Sequence, residues 1–183
     1  MNNQNLSLNT IVQRVKDVLT FNRRTYEEIA RDPNATAEAA IVVATAAIAS
    51  GLGQLFAGPG HLIGAVISML LGWVVAAAVI YFVGTRITGE ATTTSSVERV
   101  MRVVGYASAP FAFSIFSGLW LIGWIFATVI FFWFLVTMVM AIQAALNISL
   151  SRAIVTGLIA WIATVIVSTL IAWIFGINTT FFN

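Results

Sequence analysis

Residues 95–111 read SSVERVMRVVGYASAPF, and the change of character along this stretch decides the fold. Its first half carries Glu98, Arg99 and Arg102; its second half is uncharged and ends at Pro110-Phe111. Ser95 and Glu98 have the spacing of a capping box, in which a serine and a glutamate three residues on satisfy each other's free backbone N–H groups. A helix is therefore expected from Ser96, with Val97, Val100, Met101 and Val104 on its apolar face. Glu98 and Arg102, four apart, are placed to pair on its wet face. Such a helix begins in water and runs into lipid from a positively charged side. Tyr106 is expected near that boundary as an aromatic anchor. Pro110 lacks a backbone N–H and is expected to kink the helix about one third of the way down.

Working outward, Val103 to Leu146 is a run of 44 residues without a charge. As one helix it would be about 66 Å long, twice the thickness of a bilayer core, so it must break. Ser117-Gly118, followed by Trp120 and Trp124, is the expected turn at the far interface. This gives spans of 103–117 and 121–145. A fifth, 153–175, follows the polar connection Asn147–Arg152. Upstream, 37–57 is Ala-rich but long enough to span, Gly58-Pro59-Gly60 allows only a tight antiparallel turn, and 61–84 is the second span. The expected fold is all-α: a polytopic membrane protein of five transmembrane helices (37–176), an amphipathic cytoplasmic arm (1–36) and a short outer tail (177–183).

Composition agrees with lipid as the main solvent. Of 183 residues, 60% are hydrophobic and 9% charged, with a mean hydropathy of +0.96, whereas a soluble domain carries about a quarter charged residues. The pI near 9.5 suggests nucleic acid, but the net charge is only +2 and the basic residues flank the apolar runs, so they are read as orientation charge and no nucleic-acid partner is expected. Met1–Asn9 is polar and uncharged, and no signal peptide is expected. In the arm, Leu8, Ile11, Val12, Val15, Val18 and Leu19 repeat with helical period; this face could lie among headgroups or dock on the rest of the chain. Thr25 and Glu28 form a second capping box, with Thr25 as the expected N-cap, and Asp32-Pro33 stops that helix.

Orientation follows from counting. With a cytoplasmic N-terminus, all nine basic residues (Arg14, Lys16, Arg23, Arg24, Arg31, Arg86, Arg99, Arg102, Arg152) fall on the inner side and none on the outer. The positive-inside rule then places the C-terminus outside.

Candidate chemistry is sparse. No Asp, Glu, Lys or Arg is expected in a span interior, which argues against a pump or proton-coupled carrier. There is no cysteine and a single histidine, His61, so no metal or other cofactor is expected. Gln54 and Gln143 lie near span ends and are assigned structural hydrogen bonds. The sequon at Asn178 is taken as chance. No nucleotide-binding or hydrolase motif is present, and the protein is expected not to be an enzyme. Small residues recur every four positions: Gly60, Gly64, Ser68, Gly72 and Ala76 in the second span, and Thr156, Ala160, Thr164, Ser168, Ala172 and Gly176 in the fifth. Helix crossings are expected on these rows, within the chain or across a homodimer.

Three stretches carry a resemblance. TFNRRTYEEIARDPNA (20–35) is a basic segment followed by an acidic stop, RVVGYASAPF (102–111) a Gly-Tyr-Ala…Pro start to the third span, and NISLSRAIVTGLIAW (147–161) a polar hinge leading into the fifth. Their order resembles the Yip1 family of multispanning membrane proteins in its prokaryotic form, although Asn22 stands where that family usually has proline. The resemblance covers nearly the whole chain, marks Arg102, Gly105, Tyr106 and Pro110 as its motif residues, and implies a prokaryotic plasma membrane. Eukaryotic relatives are associated with vesicle traffic and prenylated GTPases; the present sequence lacks their long soluble N-terminal region and Asp-Leu-Tyr-Gly-Pro-like segment, which argues against GTPase binding. The expected function is that of a non-enzymatic integral membrane protein acting on partners or lipid through its cytoplasmic face. The alternative is a small channel or carrier with a pathway between small-residue faces.

Overall fold

The structure, a computed structural model, describes residues 8–53, 60–89, 93, 95–119 and 122–174. In chain order the elements are α1 (Leu8–Leu19), α2 (Arg23–Arg31), α3 (Ala35–Gly53), α4 (Gly60–Arg86), α5 (Val97–Ala107), a 3-10 helix (Ala109–Gly118), α6 (Gly123–Leu146) and α7 (Leu150–Ile174). The described residues contain no strand. Five segments are long and apolar enough to cross a bilayer: Ala35–Leu52, Val66–Arg86, Val97–Gly118, Gly123–Leu146 and Leu150–Val167. The protein is therefore an all-α, five-span membrane protein. The turn residues Gly58 and Pro59, Gln54, Trp120 and Asn178, and the side chains of His61 and Ser168, lie outside what is described.

The third span differs from the simple expectation. Pro110 does not kink a continuous α-helix; the α-helix stops at Ala107, and Pro110 sits in the first turn of a ten-residue 3-10 helix. Runs of 3-10 helix beyond three or four residues are uncommon, and span length supplies a reason for this one. Between Val103 and Gly118 there are too few residues for an α-helix to cross about 30 Å of hydrocarbon: 1.5 Å per residue gives about 24 Å. With the 3-10 rise of about 2.0 Å over its second part, the same residues reach about 29 Å.

The switch of helix type frees a carbonyl group, which in lipid must find a donor. Phe111 N–H bonds to Ser108 O at 2.9 Å, leaving Ala107 O without the bond an α-helix would supply. The buried Thr137 hydroxyl of α6 donates to it at 2.9 Å. Ser108 Oγ donates to Gly105 O at 2.6 Å, and Ser114 and Ser117 likewise donate to carbonyls three residues back.

This span and α3 form the centre. Within an 18-residue apolar stretch of each span, 44% and 56% of residues are buried in the first and third, against 17%, 22% and 17% in the second, fourth and fifth. Val103 to Pro110 are buried without interruption. The two central helices run parallel: Arg102 meets Thr36, Tyr106 meets Glu38, and Ser114 meets Ser50 at 2.7 Å. Gly105 marks their closest approach, since a Cβ there would lie 2.7 Å from Ala39 Cβ and 3.1 Å from the indole nitrogen of Trp73. That indole donates to Met101 O at 2.9 Å, tying α4 to α5. The chain reverses after the 3-10 helix, where Gly123 N–H bonds to Leu119 O at 2.6 Å. Helix α6 packs on α5 and the 3-10 helix, and α7 packs on α4 and α6. Large apolar residues such as Leu71, Phe132, Val136, Leu158 and Trp161 are exposed along the flanks, as lipid-facing side chains should be.

The terminal helices α1 and α2 dock on this bundle. Ile11 and Val18 of α1 and Tyr26, Ile29 and Ala30 of α2 are buried, whereas Leu8 and Val12 remain exposed. Their connection is a Schellman turn: Asn22 N–H bonds to Asp17 O at 2.8 Å and Phe21 N–H to Val18 O at 3.1 Å. Phe21 occupies the left-handed position (φ 61°) where glycine is usual. Helix α2 consequently starts at Arg23 with Asn22 as N-cap, not at Thr25. Thr25 is buried in the first turn and donates to Asp17 Oδ2 at 3.3 Å. Trp133 of α6 holds the end of α1, donating to Leu19 O at 3.1 Å while stacking on Phe113 at 5.6 Å.

Thr137→Val keeps the side-chain shape and removes the only donor it offers to Ala107 O. The expected loss is about 1–3 kcal/mol, the cost of an unsatisfied buried acceptor, read as a lower unfolding midpoint in detergent micelles; an unchanged midpoint would show that the freed carbonyl needs no partner.

Candidate functional site

The polar ends of the spans meet at one end of the bundle. Arg99 at the start of α5 donates to Ala144 O at the end of α6, at 3.1 Å. Ser95 donates to Ala145 O at 2.9 Å. Arg152 at the start of α7 donates to Thr88 O and Gly89 O, just past α4, at 3.0 and 2.9 Å. Ser96 is the N-cap of α5, accepting from Arg99 N–H at 3.2 Å, so the cap falls one residue later than the Ser95 box implies.

The centre of this basic end is Arg14 of α1. Its Nη2 donates to Asp32 Oδ2 at 2.6 Å and its Nη1 to Glu38 Oε2 at 2.5 Å. The Tyr106 hydroxyl donates to the same Glu38 oxygen at 2.6 Å. Glu38 is the second residue of the expected first span, at its margin and outside its interior, and is buried at 5% exposure. Tyr106, expected as an interfacial anchor, is fully buried because this carboxylate gives its hydroxyl a partner. One guanidinium thereby joins α1, the α2–α3 link, α3 and α5.

Arg102 supports the same joint. Its Nε donates to Thr36 Oγ1 at 2.9 Å and its Nη1 to Ala30 O at 3.3 Å. It therefore turns inward to the start of α3 instead of pairing with Glu98 on the wet face. Asp32 caps the arrangement: it ends α2 in an extended conformation, as a residue before proline prefers, and accepts from Asn34 N–H at 3.0 Å.

The electrostatics follow from these contacts. Burial disfavours the charge on Arg14, but its hydrogen bonds to Asp32 and Glu38 outweigh this and hold its pKa above the ordinary arginine value. Burial also works to raise the pKa of Asp32; the Arg14 hydrogen bond and the Asn34 N–H overcome it and leave the carboxyl below its ordinary 3.8. Burial pushes the Tyr26 hydroxyl upward, so it stays protonated and donates to Val18 O at 3.0 Å. Both carboxylates accept from Arg14, and the cluster acts as a clasp. Among the described residues no group of three His, Cys, Asp or Glu is placed to hold a metal ion.

The four motif residues Arg102, Gly105, Tyr106 and Pro110 thus fall on one span, the first three against α3 and Pro110 at the helix-type switch. The small-residue rows separate. On α7, Thr156 and Ala160 are buried and Thr164 is half-buried; Thr156 shares a hydrogen bond of 2.6 Å with Thr88. On α4, Gly64, Ser68 and Gly72 are exposed, and a Cβ on either glycine would meet nothing within 4 Å. Among the described residues nothing crosses at that row. Glu38 and Arg14 were the residues that sequence reasoning missed as a pair; the only available signal was an acid at the margin of an otherwise uncharged run.

Because the folded pKa of Asp32 is depressed, its contribution to stability is present above the ordinary carboxylate pKa, about 4, and is lost as pH falls through the lower folded value. The Tm in micelles should fall as pH drops below about 4, and Asp32→Asn should lower the Tm at neutral pH while flattening that acid slope. An acid slope of equal steepness in the variant would contradict the assignment.

Comparison with curated proteins and with solved structures returns no match. The Yip1 domain family model matches residues 16–175, a range that takes in the α2–α3 link, the third-span motif and all five spans. The chain belongs to the Yip1 family of multi-pass integral membrane proteins.

Proposed function

We propose that this is a non-enzymatic membrane protein that works at its basic end, binding a membrane partner or organising lipid there. The observation that carries the reading is a division among the charges of that end. Arg14, Asp32, Glu38 and Arg102 turn inward and hold the fold together. Arg23, Arg24 and Arg31 of α2 point outward, with side chains 74%, 86% and 73% exposed, and Lys16 of α1 is exposed as well. Their i,i+4 pairs with Glu27 and Glu28 are solvent-exposed and contribute little to stability, so this surface is free to change partners without unfolding the joint beneath it. The positive-inside rule assigns this end to the cytoplasm, with the N-terminus inside and the C-terminus outside.

The channel or carrier reading is weaker, because it needs a polar route through the bundle. Among the described residues the buried span hydroxyls, Tyr106, Ser108, Thr137 and Thr156, are each committed to a hydrogen bond.

Deleting α1 is not an informative test, since Arg14 would go with it. A photo-crosslinking residue at position 24, compared with one at position 132 on the apolar flank of α6, reads the surface in native membranes. Position 24 is expected to give discrete adducts with a protein or a particular headgroup, and position 132 only bulk-lipid adducts. The same bulk-lipid pattern at both positions would contradict the proposal.

A further inference from the structure

Between α2, α5 and α6 the basic end encloses a cavity of about 120 Å³. Three guanidinium-bearing residues line it, Arg23 and Arg31 from α2 and Arg99 from α5, together with one carboxylate, Glu27. Glu27 is divided between two arginines, at 3.3 Å from Arg23 and 4.0 Å from Arg31. Among the described residues that line the cavity, three arginines thus stand against one carboxylate. Like charges converging on a partly enclosed space repel one another more strongly than they would in open water, and a bound anion relieves that repulsion. Guanidinium groups suit phosphate in particular, since their planar N–H forks match two of its oxygens.

The apolar wall names the rest of the ligand. Met140 and Ala144 of α6 line the cavity, and one helical row, at four-residue steps, continues from them to Val136 and Phe132. Those two side chains are 46% and 61% exposed on the lipid-facing flank. A phosphate among the arginines would thus have acyl chains leading straight down an apolar track. A free inorganic phosphate uses only the upper half of this surface; an anionic phospholipid uses all of it.

We infer that this cavity binds the headgroup of an anionic phospholipid, with the acyl chains lying along Met140, Val136 and Phe132. The inference rests on the reading that the basic end lies at a membrane–water boundary and gives that surface a ligand class. Basic pockets between spanning helices are a physically reasonable place for such headgroups.

The test is lipid retention by the full chain, measured by native mass spectrometry after titration with phosphatidylglycerol, with phosphatidylcholine and with inorganic phosphate. Arg23→Gln/Arg31→Gln removes two cavity charges whose side chains are largely exposed, so the fold should survive. Arg24→Gln/Arg86→Gln removes two exposed charges of the basic end that do not line the cavity. The unaltered protein should retain phosphatidylglycerol at least tenfold better than phosphatidylcholine. That preference should collapse in the cavity variant and persist in the control. Equal loss in both variants would make the effect general electrostatics and overturn the site, as would no loss in either. Inorganic phosphate binding as tight as phosphatidylglycerol would overturn the lipid assignment. Discrete adducts at position 24, with lipid preference unchanged in the cavity variant, would sink the cavity and leave the wider reading of the basic end standing.

Discussion

A single guanidinium carries the joint on which the architecture depends. Arg14 lies between Asp32 and Glu38, and Glu38 also accepts from Tyr106. A buried ion pair offsets its desolvation only when the geometry is good and further hydrogen bonds support it; here Glu38 Oε2 accepts from both Arg14 and Tyr106, and Asp32 accepts from both Arg14 and the Asn34 N–H. The two acids compensate the arginine, and the second donor on Glu38 is neutral, adding no further charge. Such a cluster adds less net stability than an apolar core of the same volume, but it fixes register. Docking α1 one turn away would set Thr10 and Ile11, or Asp17 and Val18, in place of Arg14 and leave Glu38 without its cation. The clasp thus fixes how α1 meets α3 and α5, and Tyr26, Thr25 and Trp133 complete the fit along the rest of the α1–α2 hairpin.

Length is the second constraint. The third span has too few uncharged residues after Arg102 to cross hydrocarbon as an α-helix, and the chain lengthens it by changing helix type at Pro110. The Ala107 carbonyl released by that change is a liability in lipid, and Thr137 from α6 answers it, while Ser108, Ser114 and Ser117 add hydrogen bonds to carbonyls three residues back. The Ser residues that look unremarkable in an apolar run thus support the same stretch as the proline. Gly105 belongs there too, because the parallel packing of the third span on α3 leaves no room for a Cβ beside Ala39.

The span count and the all-α class were legible because they depend on local properties: uncharged runs long enough to cross a bilayer, broken where Ser117-Gly118 can turn. The placement of Asp32-Pro33 as a stop was legible for the same reason. What was not legible depended on partners distant in sequence. Tyr106 reads as an interfacial aromatic until Glu38, 68 residues earlier, is brought to its hydroxyl. Arg102 reads as the i+4 partner of Glu98 until Thr36 and the Ala30 carbonyl are seen to take its donors. Thr25 reads as a helix cap because nothing in Phe21 announces a left-handed residue, where glycine would have. The α4 row of Gly64, Ser68 and Gly72 permits a close crossing, but permission does not name the partner, and among the described residues none meets it.

The account stands most directly on the coupling between Arg14 and Glu38. A double-mutant cycle with Arg14→Leu and Glu38→Gln, read from unfolding free energies in micelles, isolates that pair. The clasp predicts a coupling of at least about 1 kcal/mol, within the range for residues in one buried network. Effects that add to within about 0.5 kcal/mol would mean that the two helices are held by their apolar faces alone, and that the clasp is not what joins α1 to the bundle.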